Sequence, residues 1–119
     1  MKKFLFAALL AVSAAAPAAA QTVNAGTYTV KGTNLDGSSY EGTATITLAS
    51  ETTCVIEWKT GGTTSQGVCM LHEDAFAAAY MLEDQIGLIV YKVKGGVLEG
   101  SWTLTGKDGS GTETLTEEK

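Results

Sequence analysis

The sequence predicts an all-β protein: a small up-and-down antiparallel meander of about eight strands closing into a barrel or flattened barrel, with one disulfide inside a hairpin. Three observations lead there. Runs in which apolar and polar residues alternate recur from Gly26 onward, separated by turn residues roughly every 10 to 14 positions. The one proline, Pro17, precedes all of these runs and interrupts none of them. Consecutive antiparallel strands with short loops leave two bare edges unless the sheet closes on itself, and closure is the usual solution for a meander of this length.

The first 20 residues stand apart. Lys2 and Lys3 precede an apolar run from Phe4 to Val12, and small residues ending in Ala18, Ala19 and Ala20 follow. This is the plan of a secretory signal cleaved after Ala20, and the apolar run is too short for a spanning helix of about 20 residues. Residues 21–119 are therefore expected to form the single mature domain, periplasmic or secreted and not inserted in the membrane. The residue immediately after the cleavage site is Gln21 and not a cysteine, so a lipid anchor at the mature amino terminus is not expected. Cleavage removes two of the eight lysines and takes the formal charge from −5 to −7, and the chain contains no arginine. Nucleic acid and anionic membrane both demand clustered cations, so neither is an expected partner.

The first hairpin turns at Asn34-Leu35-Asp36-Gly37, read as a type I turn closed by a left-handed glycine. That register sets Tyr28 opposite Ala44, Val30 opposite Gly42 and Gly32 opposite Tyr40. Tyr28, Val30, Tyr40, Ala44, Ile46 and Leu48 then face inward, and the threonines face out. The second hairpin turns at Gly61-Gly62, which makes Thr60 and Thr63 the closing pair and puts Cys54 directly opposite Cys69. Opposed Cα atoms in such a pair lie roughly 4.5 to 5.5 Å apart, inside the disulfide window. Closing a loop of about 15 residues is worth on the order of 3 kcal/mol, a large share for a domain of this size. Ile56 and Trp58 share the cysteine face, while Val55, Glu57 and Lys59 point the other way with Val68, Gln66 and Thr64.

Beyond the turn at His72-Glu73-Asp74, the segment from Ala75 to Leu82 has the alanines of a helix and the alternation of a strand. Its eight residues between two acidic turns favour strand. A sixth strand from Gly87 to Lys94 turns at Gly95-Gly96 into a seventh from Val97 to Thr105, with Ile89 opposite Trp102, Tyr91 opposite Gly100 and Lys92 meeting Glu99. The last turn, Lys107 to Ser110, reads as a two-residue Asp-Gly loop that sets Leu115 opposite Trp102 and turns Glu113 inward opposite Leu104. The first and last hairpins repeat one plan, Gly-Thr-Tyr-Thr-Val with Asp-Gly-Ser and Gly-Thr against Gly-Ser-Trp-Thr-Leu with Asp-Gly-Ser and Gly-Thr. Duplication and the limited vocabulary of hairpins account for this equally well.

The residues that carry chemistry are few. Tyr28, Tyr40, Trp58, Tyr80, Tyr91 and Trp102 either fill an eight-strand interior just wide enough for side chains or line a ligand pocket in it. Trp58 and Trp102 are both expected to be largely buried. Glu113 is either a carboxylate at the barrel mouth or a rim residue reaching water. His72 is the one histidine, with Glu73 and Asp74 beside it. It has no second histidine, free thiol or nucleophile elbow to work with. No loop has the dense oxygen spacing of a calcium site, and no cofactor or metal is expected. The reading is a non-catalytic binding module for a small molecule, with a protein-partner or adhesion role as the alternative. An enzyme using Glu113, or His72 with Asp74, is the third reading.

The segments Gly32 to Thr43, Gly100 to Thr103 and Gly111 to Leu115 together read GTNxDGSxYxGT, GxWT and GTExL. In these the chain resembles a group of small secreted bacterial β-barrel proteins, and more loosely the avidin-type barrels. The resemblance spans most of the mature chain and implies a secreted barrel. It brings neither a catalytic residue nor a ligand set.

Overall fold

The computed structural model of the protein describes residues 21–118; the expected leader and the end of the apolar run it contains lie outside the described residues. Eight strands follow one another: β1 (Gly26–Thr33), β2 (Ser39–Leu48), β3 (Cys54–Thr60), β4 (Thr63–His72), β5 (Ala75–Leu82), β6 (Gln85–Lys94), β7 (Val97–Leu104) and β8 (Gly111–Glu117). Each pairs antiparallel with the next, and β8 pairs with β1 to close the barrel, Val30 lying opposite Leu115. Ala75 to Leu82 is strand, because its alternating Phe76, Ala78 and Tyr80 are the buried residues while Ala77 and Met81 are exposed.

Turn chemistry sets the register of the first six strands. Gly37 takes a positive φ of 89°, and the first hairpin pairs Gly32 with Tyr40 as expected. Gly61 and Gly62 both take positive φ, Thr60 pairs with Thr63, and Cys54 meets Cys69 with Cα atoms 5.0 Å apart in a disulfide. Glu73 and Glu83 hold left-handed φ of 57° and 58° without being glycines. Each opens a two-residue loop, and that loop type needs φ > 0 at its first central position. The β5–β6 loop is thereby tighter than expected, and β6 begins at Gln85 rather than Gly87.

The last hairpin departs from its expected register. Trp102 pairs with Gly111, and Leu115 pairs with Leu98 rather than with Trp102. Asp108-Gly109 does not close the hairpin, because Gly106 also takes a positive φ of 83° and Lys107 N–H donates to the Leu104 carbonyl, so the chain turns early and makes a wide loop. The slip moves each partner by an even number of residues, so Glu113 keeps its inward face but lies opposite Gly100 instead of Leu104.

The interior is filled by Tyr28, Val30, Ile46, Ile56, Phe76, Tyr91, Leu98 and Leu115, among others. Leu48 has the inward parity expected of it, yet it is 62% exposed. It is the last residue of β2, at the barrel end, where no strand passes over it. The end carrying the β2–β3, β4–β5 and β6–β7 loops is closed in part by the segment before β1. Val23 packs against the core, and the Tyr28 hydroxyl donates to the Asn24 carbonyl at 2.6 Å.

Candidate functional site

Glu113 is the one buried polar or charged side chain among the described residues, 5% exposed. Its neighbours in the sheet explain how it can be there. On β1 it faces Gly32 and on β7 it faces Gly100. The next strands out place Tyr40 opposite Gly32 and Tyr91 opposite Gly100. The row Tyr40, Gly32, Glu113, Gly100, Tyr91 thus crosses five strands, and the missing side chains of its two glycines let both tyrosines lean over toward the carboxylate. A Cβ at Gly100 would lie 2.6 Å from the Tyr91 ring, and one at Gly32 would collide with Tyr40. Substitution at either would push a tyrosine off the glutamate.

Three donors converge on this carboxylate. The Tyr40 hydroxyl donates to Oε1 at 2.6 Å, and the Trp58 indole N–H to Oε2 at 2.8 Å from the opposite wall. The Tyr91 hydroxyl also donates to Oε2 in a short hydrogen bond. A carboxylate accepting several charge-assisted bonds in a dry interior is strongly held, whereas the same group without donors would be very costly. Tyr91 has its phenol pushed well above the ordinary value, first by burial and then by the adjacent Glu113 charge. The same causes raise Tyr40 and Tyr80. These phenols therefore act as neutral hydrogen-bond donors across the physiological range.

Above the glutamate the barrel opens. A cavity of about 230 Å³ at the end bearing the Asn34 and Gly61-Gly62 turns is lined by Tyr40, Trp58, Tyr80, Trp102, Leu82 and Glu113, with Asn34, Thr60 and Ser65 at its rim. Trp58 and Tyr80 pack edge to face with ring centroids 5.2 Å apart, and Tyr40 and Trp102 do so at 6.3 Å. The Tyr80 hydroxyl is taken up by the Thr103 carbonyl at 3.0 Å. Trp102 has no such partner. Its indole nitrogen is shielded from solvent and, although it lies near the Tyr40 hydroxyl, meets no acceptor in hydrogen-bonding geometry, the only such side-chain atom among the described residues.

Trp58 is 4% exposed, as expected, and Trp102 corrects the second half of that expectation. It faces inward but is only partly buried, because it lies at the open mouth over Gly111. Of the six aromatic residues singled out from the sequence, Tyr40, Trp58, Tyr80, Tyr91 and Trp102 gather at or beneath this mouth. Tyr28 lies toward the other end, bound to Asn24. His72 and Asp74 also belong to that other end, exposed in and beside the β4–β5 turn, with Asp74 4.0 Å from Lys92. They share no site with Glu113. Among the described residues no group of three potential ligands is placed to hold a metal ion. The cleft at that other end, about 260 Å³ between Val23, Leu48, Thr52 and Phe76, has no buried polar side chain to orient a ligand.

No protein-family model matches the chain, and no curated protein matches it. Several solved structures share the fold. A redesigned β-barrel, mFAP1, bound to DFHBI superposes with a TM-score of 0.66 at 20% identity, covering 78% of this chain and 94% of that one. A de novo designed fluorescence-activating β-barrel gives a TM-score of 0.64 at 14% identity, covering 80% and 94%. A mutant of the fluorescent protein UnaG gives 0.53 at 12% identity, covering 80% and 96%. At these identities the likeness is one of fold: the chain is similar to small closed β-barrels, one of them with a small molecule bound.

Proposed function

We propose that this is an exported, non-catalytic binding protein that takes a small aromatic or apolar molecule, neutral or cationic, into the mouth above Glu113. The carrying observation is the mouth itself, an aromatic-walled cavity with an anionic floor and one indole N–H left to offer. A cavity of about 230 Å³ is smaller than the ~300–1,000 Å³ of drug-sized sites, so the ligand is small or enters by one ring only. Lysine is absent from the lining and the floor is acidic, so an anion entering it would meet repulsion without compensation. That mFAP1, a β-barrel of similar fold, has DFHBI bound supports the reading that such a barrel can hold a small molecule. An acid-base role is disfavoured because Glu113 is already engaged by three donors and the phenols around it are pushed up, away from working pH. Export rests on the leader-like first 20 residues and on the disulfide, which belongs in an oxidising compartment.

Isothermal titration calorimetry tests this with three related probes: indole, tryptamine and indole-3-acetate. Saturable heats with the neutral and cationic compounds, absent with the anion and lost in Trp102→Ala, are expected. Equal binding of the anion, or no binding of any of the three together with no carried ligand in native mass spectra of the exported protein, would refute the reading.

A further inference from the structure

The outer wall of the barrel is of two kinds. On β1, β2 and β8 the outward positions are polar: Thr27, Thr29 and Lys31, then Glu41, Thr43, Thr45 and Thr47, then Thr112 and Thr116 are exposed, and Thr33 and Thr114 are half-buried. On β4 to β6 the outward positions include Val68, Met70, Met81, Ile86, Leu88 and Val90, from 47% to 64% exposed, with Val55 of β3 adjoining them. Six large side chains about half bare, on three neighbouring strands, reach or exceed the ~300–600 Å² apolar patch that an ordinary monomer leaves uncovered. The whole circumference is not apolar, so this is not the girdle with which a barrel spans a bilayer.

The shape of this patch matters more than its size. Two rows of residues cross it in register. Val68 lies opposite Ala79, Ala79 opposite Leu88, and Leu88 opposite Thr103; one step along the strands, Met70 lies opposite Ala77, Ala77 opposite Val90, and Val90 opposite Ser101. Each row reads large, small, large, small. Between the large residues runs a groove of about 660 Å³ floored by Ala77 and Ala79 and continuing to Ser101 and Thr103. Alanine is a poor strand former, and its use at successive outward positions of β5 is explained when another backbone must come close.

We infer that this wall is a homodimer interface, occupied by the same wall of a second copy. A two-fold axis running along the strands midway between β5 and β6 exchanges β5 with β6 and β4 with β7. At the two strands beside the axis every large residue then falls on a small one: Leu88 and Val90 enter the partner's alanine groove, while β4 and β7 curve away on the closed barrel and leave Val68 and Met70 at the flanks of the contact. The corrugation is its own complement, which an isologous interface requires. The same axis lays Lys92 of β6 beside the Asp74 end of the partner's β5, an opposite-charge contact at one end of the rim, and brings the two Glu83-Asp84 turns together at the other end, where like charge is relieved by salt. No charged side chain lies within the two rows, which lets two acidic molecules meet there without burying a charge. The open mouth lies at the end of the barrel and stays free, so dimerisation does not depend on the ligand reading.

Sedimentation velocity of the exported protein from nanomolar to submillimolar concentration reads this directly. The expected result is reversible dimerisation, with Ala79→Arg raising the dimer dissociation constant by about a hundredfold or more and Thr45→Arg on the opposite wall leaving it unchanged. Far-UV circular dichroism confirms folding, and Leu88→Gln, which adds no charge, gives the second reading should Ala79→Arg fail to fold. A monomer at all concentrations would overturn the inference. So would a dimer indifferent to both variants, or a wall that binds phosphatidylcholine vesicles while the protein stays monomeric.

Discussion

The two ends of this barrel are built from the same eight strands and are held by different physics. Toward the Gly95-Gly96 end the cross-section is filled by Phe76, Leu98, Val93 and Ile46, and Val23 packs against them. Toward the Asn34 end it is filled by aromatic residues whose polar tips converge on Glu113, and about 230 Å³ is left open above them. Apolar volume does the work at one end; at the other, satisfaction of one carboxylate does. A filled end can lose any single residue at the cost of a cavity, but the polar end is coupled, because Tyr40, Trp58 and Tyr91 are all buried against the same acceptor.

This difference gives graded expectations. Glu113→Ala strands the Tyr91 hydroxyl and the Trp58 indole without a partner and should cost about 3–5 kcal/mol in urea unfolding, with Glu113→Gln, which keeps one acceptor oxygen, recovering part of it. Phe76→Ala, at the filled end, should cost about 3–4 kcal/mol through its cavity and leave probe binding at the mouth untouched in the protein that remains folded. A loss of binding there would mean that the two ends are not independent. Reducing Cys54–Cys69 should lower stability by about 3 kcal/mol, the share of a cross-link spanning 15 positions. Smaller still, Trp102→Phe should change stability by less than about 1 kcal/mol, since it removes an indole N–H that no group receives. In the folded protein acrylamide, a neutral quencher, should quench Trp102 more than Trp58; equal quenching of both would erase the distinction between floor and rim.

The polar end also has a pH signature. Tyr40, Tyr80 and Tyr91 titrate higher in the folded protein than in the unfolded chain. A raised folded value means that the unfolded chain releases protons first as pH rises. The stability these phenols contribute is therefore complete below about pH 10 and is lost progressively above it. Melting temperature should fall above that pH while the tyrosinate absorbance appears only with unfolding. Tyrosinate forming in the still-folded barrel would show that the phenols are reachable by solvent.

Much of this was legible in the chain. The glycine pair at 61 and 62 and the alternation around Cys54 and Cys69 settle a register, and the first hairpin with its left-handed Gly37 settles another. Inward parity survives slips of an even number of residues, so Glu113 is inward in either register of the last hairpin. What parity does not carry is who stands beside it. Asp108-Gly109 is the stronger local turn signal, and Gly106 overrides it through its own left-handed φ. With the other register the row linking Tyr40, Gly32, Glu113, Gly100 and Tyr91 does not exist, and the glutamate faces a leucine. The depth of Trp102 was hidden for a different reason, since alternation tells which side a residue takes and not how near it stands to an open end. The apolar outer wall did leave a trace. From Ile86 to Tyr91 the chain is apolar at both parities apart from Gly87, and Val68 and Met70 break the wet face of β4.

Glu113 sits on β8, and that position has a consequence for how the protein is made. During vectorial synthesis, β1 to β7 can pair as neighbours emerge, each closing a short loop, whereas β8 must return to β1 across the length of the domain. Until it does, Trp58, Tyr40 and Tyr91 surround an acceptor that has not arrived. Barrel closure and assembly of the mouth are thus a single late event, and a chain halted after β7 would have the aromatic walls of the site without the group that orders them.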